Sequence, residues 1–321
     1  VLTYAPSLTN GFALDDVPAV QEDERLRDPS SLPELMRGPY LTYMPAARSP
    51  YRPITSASYA ISWWIGGGHP MAFHAVNVGL HALASVFLLS LLTALAAPAT
   101  AATLGAAVFA AHPVHVEAVA GIVGRADVLS TLFCFAALVV YLDRRLEMAS
   151  RIAGVSALYL LALGSKEGAV VLPLIVLLVE ALRPEATYRE GDDDATADDG
   201  APTAVDPSTT TVPPLRRAST RIARETLPFL VPMAVMLGIF LTARRAVLGA
   251  VLQLDVAAYI AILGTGERLT TAVANLGHLV RLLLVPSDLS PEYGPAVIMP
   301  AGLASPSFWV GAAVLGSAVG A

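Results

Sequence analysis

Three small polar clusters interrupt the long apolar runs of this 321-residue chain: Asp15-Asp16, residues 112–127, and Ser165-Lys166-Glu167. Two adjacent carboxylates can divide the work of a base. One takes a proton while its neighbour orients the group that loses it. Lys166, the only lysine in the sequence, with arginines and histidines nearby, supplies what a departing anion needs. That is positive charge aimed where negative charge develops. Such residues gathered at one membrane surface point to an active site for a lipid-linked, anionic substrate.

The elements that must position them are membrane helices. Hydrophobic residues make up 55% of the chain, charged residues 14%, and the mean hydropathy is +0.61. Soluble domains carry about 25% charged residues. The apolar runs have the length of helical spans rather than of barrel strands. The net charge of −6 carries little meaning, because much of the acid falls in one loop. Arginine in place of lysine and abundant alanine suggest a GC-rich, bacterial genome. The single cysteine, Cys134, sits in an apolar run, so no disulfide framework is expected. The chain starts at Val1 on the remnant of an apolar run and stops inside another, 308–321. It reads as a fragment of a larger membrane domain.

Along the chain, residues 1–8 read as the outer end of a span, and 9–70 as a long loop with helices in the interface, where Trp63-Trp64 is favoured. Spans are expected at 72–95, 100–111 and 128–142. Two short runs, 152–164 and 168–182, hinge at Ser165-Lys166-Glu167. Residues 183–224, with Asp192-Asp193-Asp194 and Asp198-Asp199, read as a disordered cytoplasmic linker. Further apolar runs cover 226–241 and 269–285. Arg144, Arg145 and Arg151, and the arginines flanking the linker, mark the cytoplasmic side. Counting spans from there puts all three polar clusters outside. Arg244-Arg245 breaks the rule, because the same count puts that pair outside too.

Each candidate has a plain structural reading beside the functional one. Asp15 and Asp16 are a base pair of carboxylates or ordinary loop acids at the interface. Arg52 clamps a phosphate or snorkels to headgroups. His74, Asn77, His81 and Ser85 form one stripe on an apolar helix, which must face protein or a wet cavity. His112 and His115 share a face, but no third metal ligand accompanies them, so metal independence is expected. Gly121 and Gly124 allow close backbone approach. Arg125 and Asp127 can pair with each other, as can Lys166 and Glu167. Lys166-Glu167 lies between two short runs, at a depth where ionisable residues are functional candidates. Asn275, His278, Arg281 and Glu292-Tyr293 are weaker signals.

The strings NGFALDD, YRPIT, FHAVNVGLH, HPVHVEAVAGIVGRADVLS, GSKEGAVVLPL and LVPSDLSPEYGP resemble one family. It is the transmembrane and tetratricopeptide-repeat-containing protein O-mannosyltransferases and their bacterial relatives, of membrane glycosyltransferase clan C. The acidic linker is a departure from that family. The resemblance implies an all-α, multi-span domain with tetratricopeptide repeats after residue 321. It implies transfer of a sugar, usually mannose, from a polyprenyl-phosphate donor to Ser or Thr of a protein, outside the cytoplasm. In a bacterium the site would face the periplasm from the inner membrane; in a eukaryote it would face the lumen of the endoplasmic reticulum. The acidic pair after the family's first span matches Asp15-Asp16. On this reading Asp16, with Asp15 as the alternative, is the base. Arg52, His112, His115, Arg125 and Lys166 hold the donor phosphate. Glu117, Asp127, Glu167, His74 and His81 support the site. The expected partners are the bilayer, the donor lipid and an acceptor protein or peptide; no cofactor and no nucleic acid are expected. A glycan or lipid acceptor, a transporter using Lys166-Glu167 as an ion path, and an inactive scaffold are the competing readings.

Overall fold

The computed structural model describes residues 2–182, 214–251, 263–287, 289–290 and 301–320. Every regular element among them is helical. The chain opens with a 3-10 helix, Leu2–Thr9, and a single π-turn, Val17–Gln21. The long first loop then carries α1 (Leu32–Arg37) and α2 (Pro53–Gly66). Proline at the first position starts both α2 and α3 (Pro70–Ala94), where its missing N–H costs no helical hydrogen bond. Gly67, at φ 59°, ends α2 in the left-handed conformation that glycine adopts without penalty.

Then come α4 (Ala99–Ala111), α5 (Val116–Ala120), α6 (Arg125–Leu142), α7 (Met148–Ser165), α8 (Leu172–Leu182), α9 (Pro214–Leu248), α10 (Thr265–Leu284) and α11 (Pro306–Gly320). Among the described residues, four helical segments are long and apolar enough to cross a membrane: Pro70–Ala94, Arg125–Leu142, Met148–Ser165 and Ala223–Leu248. The pair Ala99–Ala111 and Pro113–Ala120, bent by 44°, makes a fifth if taken as one broken span. The chain is an all-α polytopic membrane protein.

Several boundaries differ from the sequence reading. The run at 100–111 forms a 13-residue helix of about 20 Å, too short to cross alone. The run at 152–164 extends backward through Arg151 to Met148 and becomes a full-length candidate span. In the first turn of that helix the Arg151 guanidinium donates to the Tyr141 carbonyl at the end of α6. Helix α9 starts at Pro214, inside the stretch read as a linker. Residues 183–213, with the aspartate runs, and Glu292-Tyr293 lie outside the described residues.

The main core joins α6, α7 and α9 through Tyr141, Tyr159, Phe229 and Met233. A second apolar cluster seats the first loop on α2 and α3 through Val20, Leu26, Leu35, Tyr59 and Phe73. Helix α7 ends directly on the start of α2. A Cβ on Gly164 would stand 2.7 Å from Ile54 Cγ1, and Thr55 Oγ1 donates to the Ser165 carbonyl at 2.8 Å. This contact brings Arg52 beside Lys166-Glu167.

Helix α6 separates two charged zones. Asp127 lies in its first turn, and Asp143-Arg144-Arg145 follow its last residue, about 27 Å away along the axis. Arg144 pairs there with Glu225 near the start of the α9 span, at 2.7 Å. In a Cys134→Ser background, cysteines replacing the exposed Glu117 and Arg145 should therefore react with impermeant thiol reagents from opposite sides of the membrane. Labelling of both from one side would contradict this arrangement.

Candidate active site

A cavity of about 1080 Å³ opens between the first loop, α3, the α4–α6 connection and the end of α7. Asp15, Asp16, Arg52, Glu117, Asp127 and Lys166 all line it. The three sequence clusters, distant along the chain, thus share one space.

Asp16 is held from two sides. The Val123 N–H donates to its Oδ1 at 2.9 Å, and the Ala13 N–H donates to its Oδ2 at 3.3 Å. It is 3% exposed, whereas Asp15 is exposed. Leu14, just before the pair, has a φ of 49° and is 79% exposed. A non-glycine residue in the left-handed region is uncommon and is kept only where surroundings impose it. Here it turns the acidic pair so that Asp16 faces inward.

The donor to Asp16 sits in the tight turn 121–124, and that turn is built from behind. Asn77 Nδ2 donates to the Gly121 carbonyl at 2.9 Å, and the Tyr59 hydroxyl donates to the Ile122 carbonyl at 3.1 Å. A Cβ on Gly124 would lie 2.3 Å from the Ala118 carbonyl oxygen, so only glycine fits the turn.

Arg125 is corrected by the structure. It is completely buried, and its guanidinium is used up inside the protein. Nε donates to Asn77 Oδ1 at 2.7 Å, Nη1 to the Ser58 carbonyl at 2.9 Å and Ser62 Oγ at 2.7 Å, and Nη2 to the Phe73 carbonyl at 2.9 Å. The rings of Tyr59 and Phe73 face it, their centroids 4.8 and 5.6 Å away. It pairs neither with Asp127 nor with anything in the cavity, and it ties α2, α3 and α6 together. His112 is corrected too. Its Nδ1 accepts from the Val114 N–H at 3.2 Å, and its Nε2 donates to the Leu283 carbonyl at 3.0 Å. With both nitrogens engaged it caps a turn and leaves no donor for a phosphate.

The ion pairs cross over relative to sequence neighbours. Lys166 Nζ binds Asp127 Oδ1, not Glu167. Glu167 instead takes a two-point contact from Arg52, at 3.1 Å from Nε and 2.9 Å from Nη2. Burial pushes the Glu167 carboxyl up, but the hydrogen bonds and charge of Arg52, helped by Arg244, outweigh it and hold the carboxyl below its usual range. Arg244, 6% exposed, donates from Nε to the Val251 carbonyl at 3.0 Å. It stands at the cavity end of α9, close enough to act on Glu167. Only its odd position in the topology count hinted at this.

The histidines separate by environment. His115 lines the cavity, with its ring 4.6 Å from Phe109 and 5.4 Å from His81. His81 also lines it and donates from Nε2 to the Ala110 carbonyl at 3.3 Å. His74 forms part of the wall, 1% exposed, and neither ring nitrogen has a hydrogen-bond partner. Among the described residues no group of three or more His, Cys, Asp or Glu is arranged to hold a metal ion.

Known proteins resemble part of this chain. It is 36% identical over 141 residues to mouse protein O-mannosyl-transferase TMTC3, covering 43% of this chain and 15% of that protein. It is 35% identical over 152 residues to human protein O-mannosyl-transferase TMTC4, covering 41% and 20%. It is 34% identical over 189 residues to Drosophila melanogaster protein O-mannosyl-transferase Tmtc1, covering 56% and 22%. This chain is a relative of the TMTC-type proteins. It spans less than a quarter of the length of these three. No family model and no solved structure matches it.

Two predictions follow from these contacts. Arg125→Lys keeps the charge but loses the planar fork, stranding Asn77 and the Phe73 carbonyl. It should destabilise the detergent-solubilised protein by about 3–5 kcal/mol, the usual cost of breaking a buried charged network. A thermal midpoint unchanged from wild type would contradict that role. The lowered Glu167 carboxyl contributes stability above the unfolded carboxylate pKa and loses it only as pH falls through the folded value. Glu167→Gln should remove that acid-side step from a stability–pH profile and leave the neutral-pH plateau shape unchanged.

Proposed function

We propose that this domain transfers a sugar, with mannose as the leading candidate, from a polyprenyl-phosphate donor to Ser or Thr hydroxyls of a protein acceptor on the extracytoplasmic face. The observation that carries the reading is one cavity lined by the buried carboxylate of Asp16 and its exposed neighbour Asp15 together with Arg52 and Lys166. The names of the similar proteins support the transferase class and the protein acceptor.

The chemistry is a single displacement with inversion. An acceptor hydroxyl oxygen attacks the anomeric carbon, and Asp16 takes its proton. The bond from the anomeric carbon to the phosphate oxygen breaks, and its electron pair leaves on the polyprenyl phosphate. Lipid phosphate is already a good leaving group, so the site needs cations there rather than an acid. Arg52 suits a forked contact to phosphate and Lys166 a point charge. At rest both are engaged with carboxylates, so donor phosphate enters by exchanging partners with Glu167 and Asp127. Asp15, exposed beside the base, is placed to orient the acceptor. Residues near the cavity then need no divalent metal, and EDTA should leave activity largely intact.

The test is the full-length protein incubated with polyprenyl-phosphate-mannose and Ser/Thr peptides, followed by mass spectrometry. Asp16→Asn should lower turnover by roughly 10²–10⁴-fold while donor binding survives. Lys166→Ala should weaken donor binding roughly 10-fold, the scale of one charge-assisted hydrogen bond at a half-open site. Full turnover by both Asp16→Asn and Asp15→Asn would rule the mechanism out. Activity abolished by EDTA and restored by Mn²⁺ or Mg²⁺ would overturn metal independence.

A further inference from the structure

We propose that His74 is a substrate-binding residue, whose imidazole hydrogen-bonds a substrate hydroxyl inside the cavity. The inference rests on the glycosyltransferase reading and deepens it.

Three observations lead there. His74 is 1% exposed and both ring nitrogens lack a hydrogen-bond partner. Buried polar side chains are nearly always satisfied, and a deficit of this kind calls for a partner that arrives from elsewhere. His74 is one of the residues lining the same cavity as Asp16 and Lys166, so its orphaned nitrogens lie at the edge of the space that a substrate would fill. The helix around it is held rigidly. On one side the Phe73 carbonyl accepts from Arg125. One turn on, Asn77 is fixed both to Arg125 and to the 121–124 turn. The backbone that carries His74 is therefore fixed relative to α6 and the 121–124 turn. The other stripe histidine, His81, has already spent its Nε2 on a backbone carbonyl.

The chemistry of the missing partner follows from the ring. A neutral imidazole presents one N–H donor and one bare nitrogen acceptor. A hydroxyl, which both donates and accepts, fits either nitrogen. A phosphate, which offers only acceptors when ionised, would satisfy the N–H alone, and Arg52 and Lys166 already suit it better. A hydroxyl can come from the sugar of the donor or from the Ser or Thr of the acceptor. The two sources are separable by kinetics.

The experiment uses the full-length protein in detergent or vesicles. Wild type, His74→Ala and His74→Gln are compared with polyprenyl-phosphate-mannose and its 2-, 3-, 4- and 6-deoxy forms, at varied Ser and Thr peptide. Thermal midpoints establish that each variant is folded. His74→Ala should lower kcat/KM for the intact donor roughly 10- to 100-fold, the worth of a buried hydrogen bond to substrate. It should also erase the penalty for one deoxy donor while keeping the others, which assigns a sugar hydroxyl. A raised KM for peptide alone, with the deoxy penalties intact, assigns the acceptor hydroxyl instead. Glutamine, which can donate and accept, should recover part of the loss. If His74→Ala keeps every deoxy penalty and the peptide KM of wild type, the inference is overturned and His74 serves packing alone. If wild type neither binds nor uses any of these donors, the glycosyltransferase reading fails, and this inference with it.

Discussion

The arrangement depends on a buried guanidinium. Arg125 reaches the Ser58 carbonyl and Ser62 hydroxyl on α2, and the Phe73 carbonyl and Asn77 amide on α3, from the first residue of α6. A charge in such a place is costly unless each donor is matched. Matching fixes three helices to one another within hydrogen-bond tolerance. Asn77 passes the constraint on to the 121–124 turn, and Val123 in that turn holds Asp16. The carboxylate proposed as the base is thus positioned through an arginine that does not line the cavity.

A second constraint comes from the end of α7. The close approach of Gly164 to Ile54 puts two chain segments, separated by more than a hundred residues, side by side. The cations and carboxylates at that junction then sort by geometry rather than by sequence order. Arg52, with its planar fork, takes Glu167 at two points, and the single ammonium of Lys166 takes Asp127.

Much of this was readable from the residues. The apolar runs and the arginine asymmetry placed Asp15-Asp16, Glu117, Asp127 and Lys166 on a common side, and they line a common cavity. What was not readable was partner choice. Arg125 was assigned to the donor phosphate through the family resemblance; its partners lie 48 to 67 residues away. His112 looked like half of a ligand pair, but its acceptor for Nε2 is 171 residues distant. Helix ends also escaped the pattern. Arg151 read as cytoplasmic flank, yet α7 already begins at Met148, and the Arg151 head group meets a carbonyl on α6. Arg244-Arg245 remains an anomaly by charge counting, although the Arg244 charge adds to the field that lowers the Glu167 carboxyl.

The crossed pairs also bear on how a reaction cycle would end. In the proposed transfer the donor is a phosphodiester with a single negative charge. The lipid left behind is a phosphomonoester, which carries close to two at neutral pH. A site of bare cations would grip that product harder than the substrate and stall. Glu167 and Asp127 give Arg52 and Lys166 somewhere else to go. In that cycle the carboxylates would act as resident counterions that take the cations back, loosening the spent lipid and resetting the cavity for the next donor.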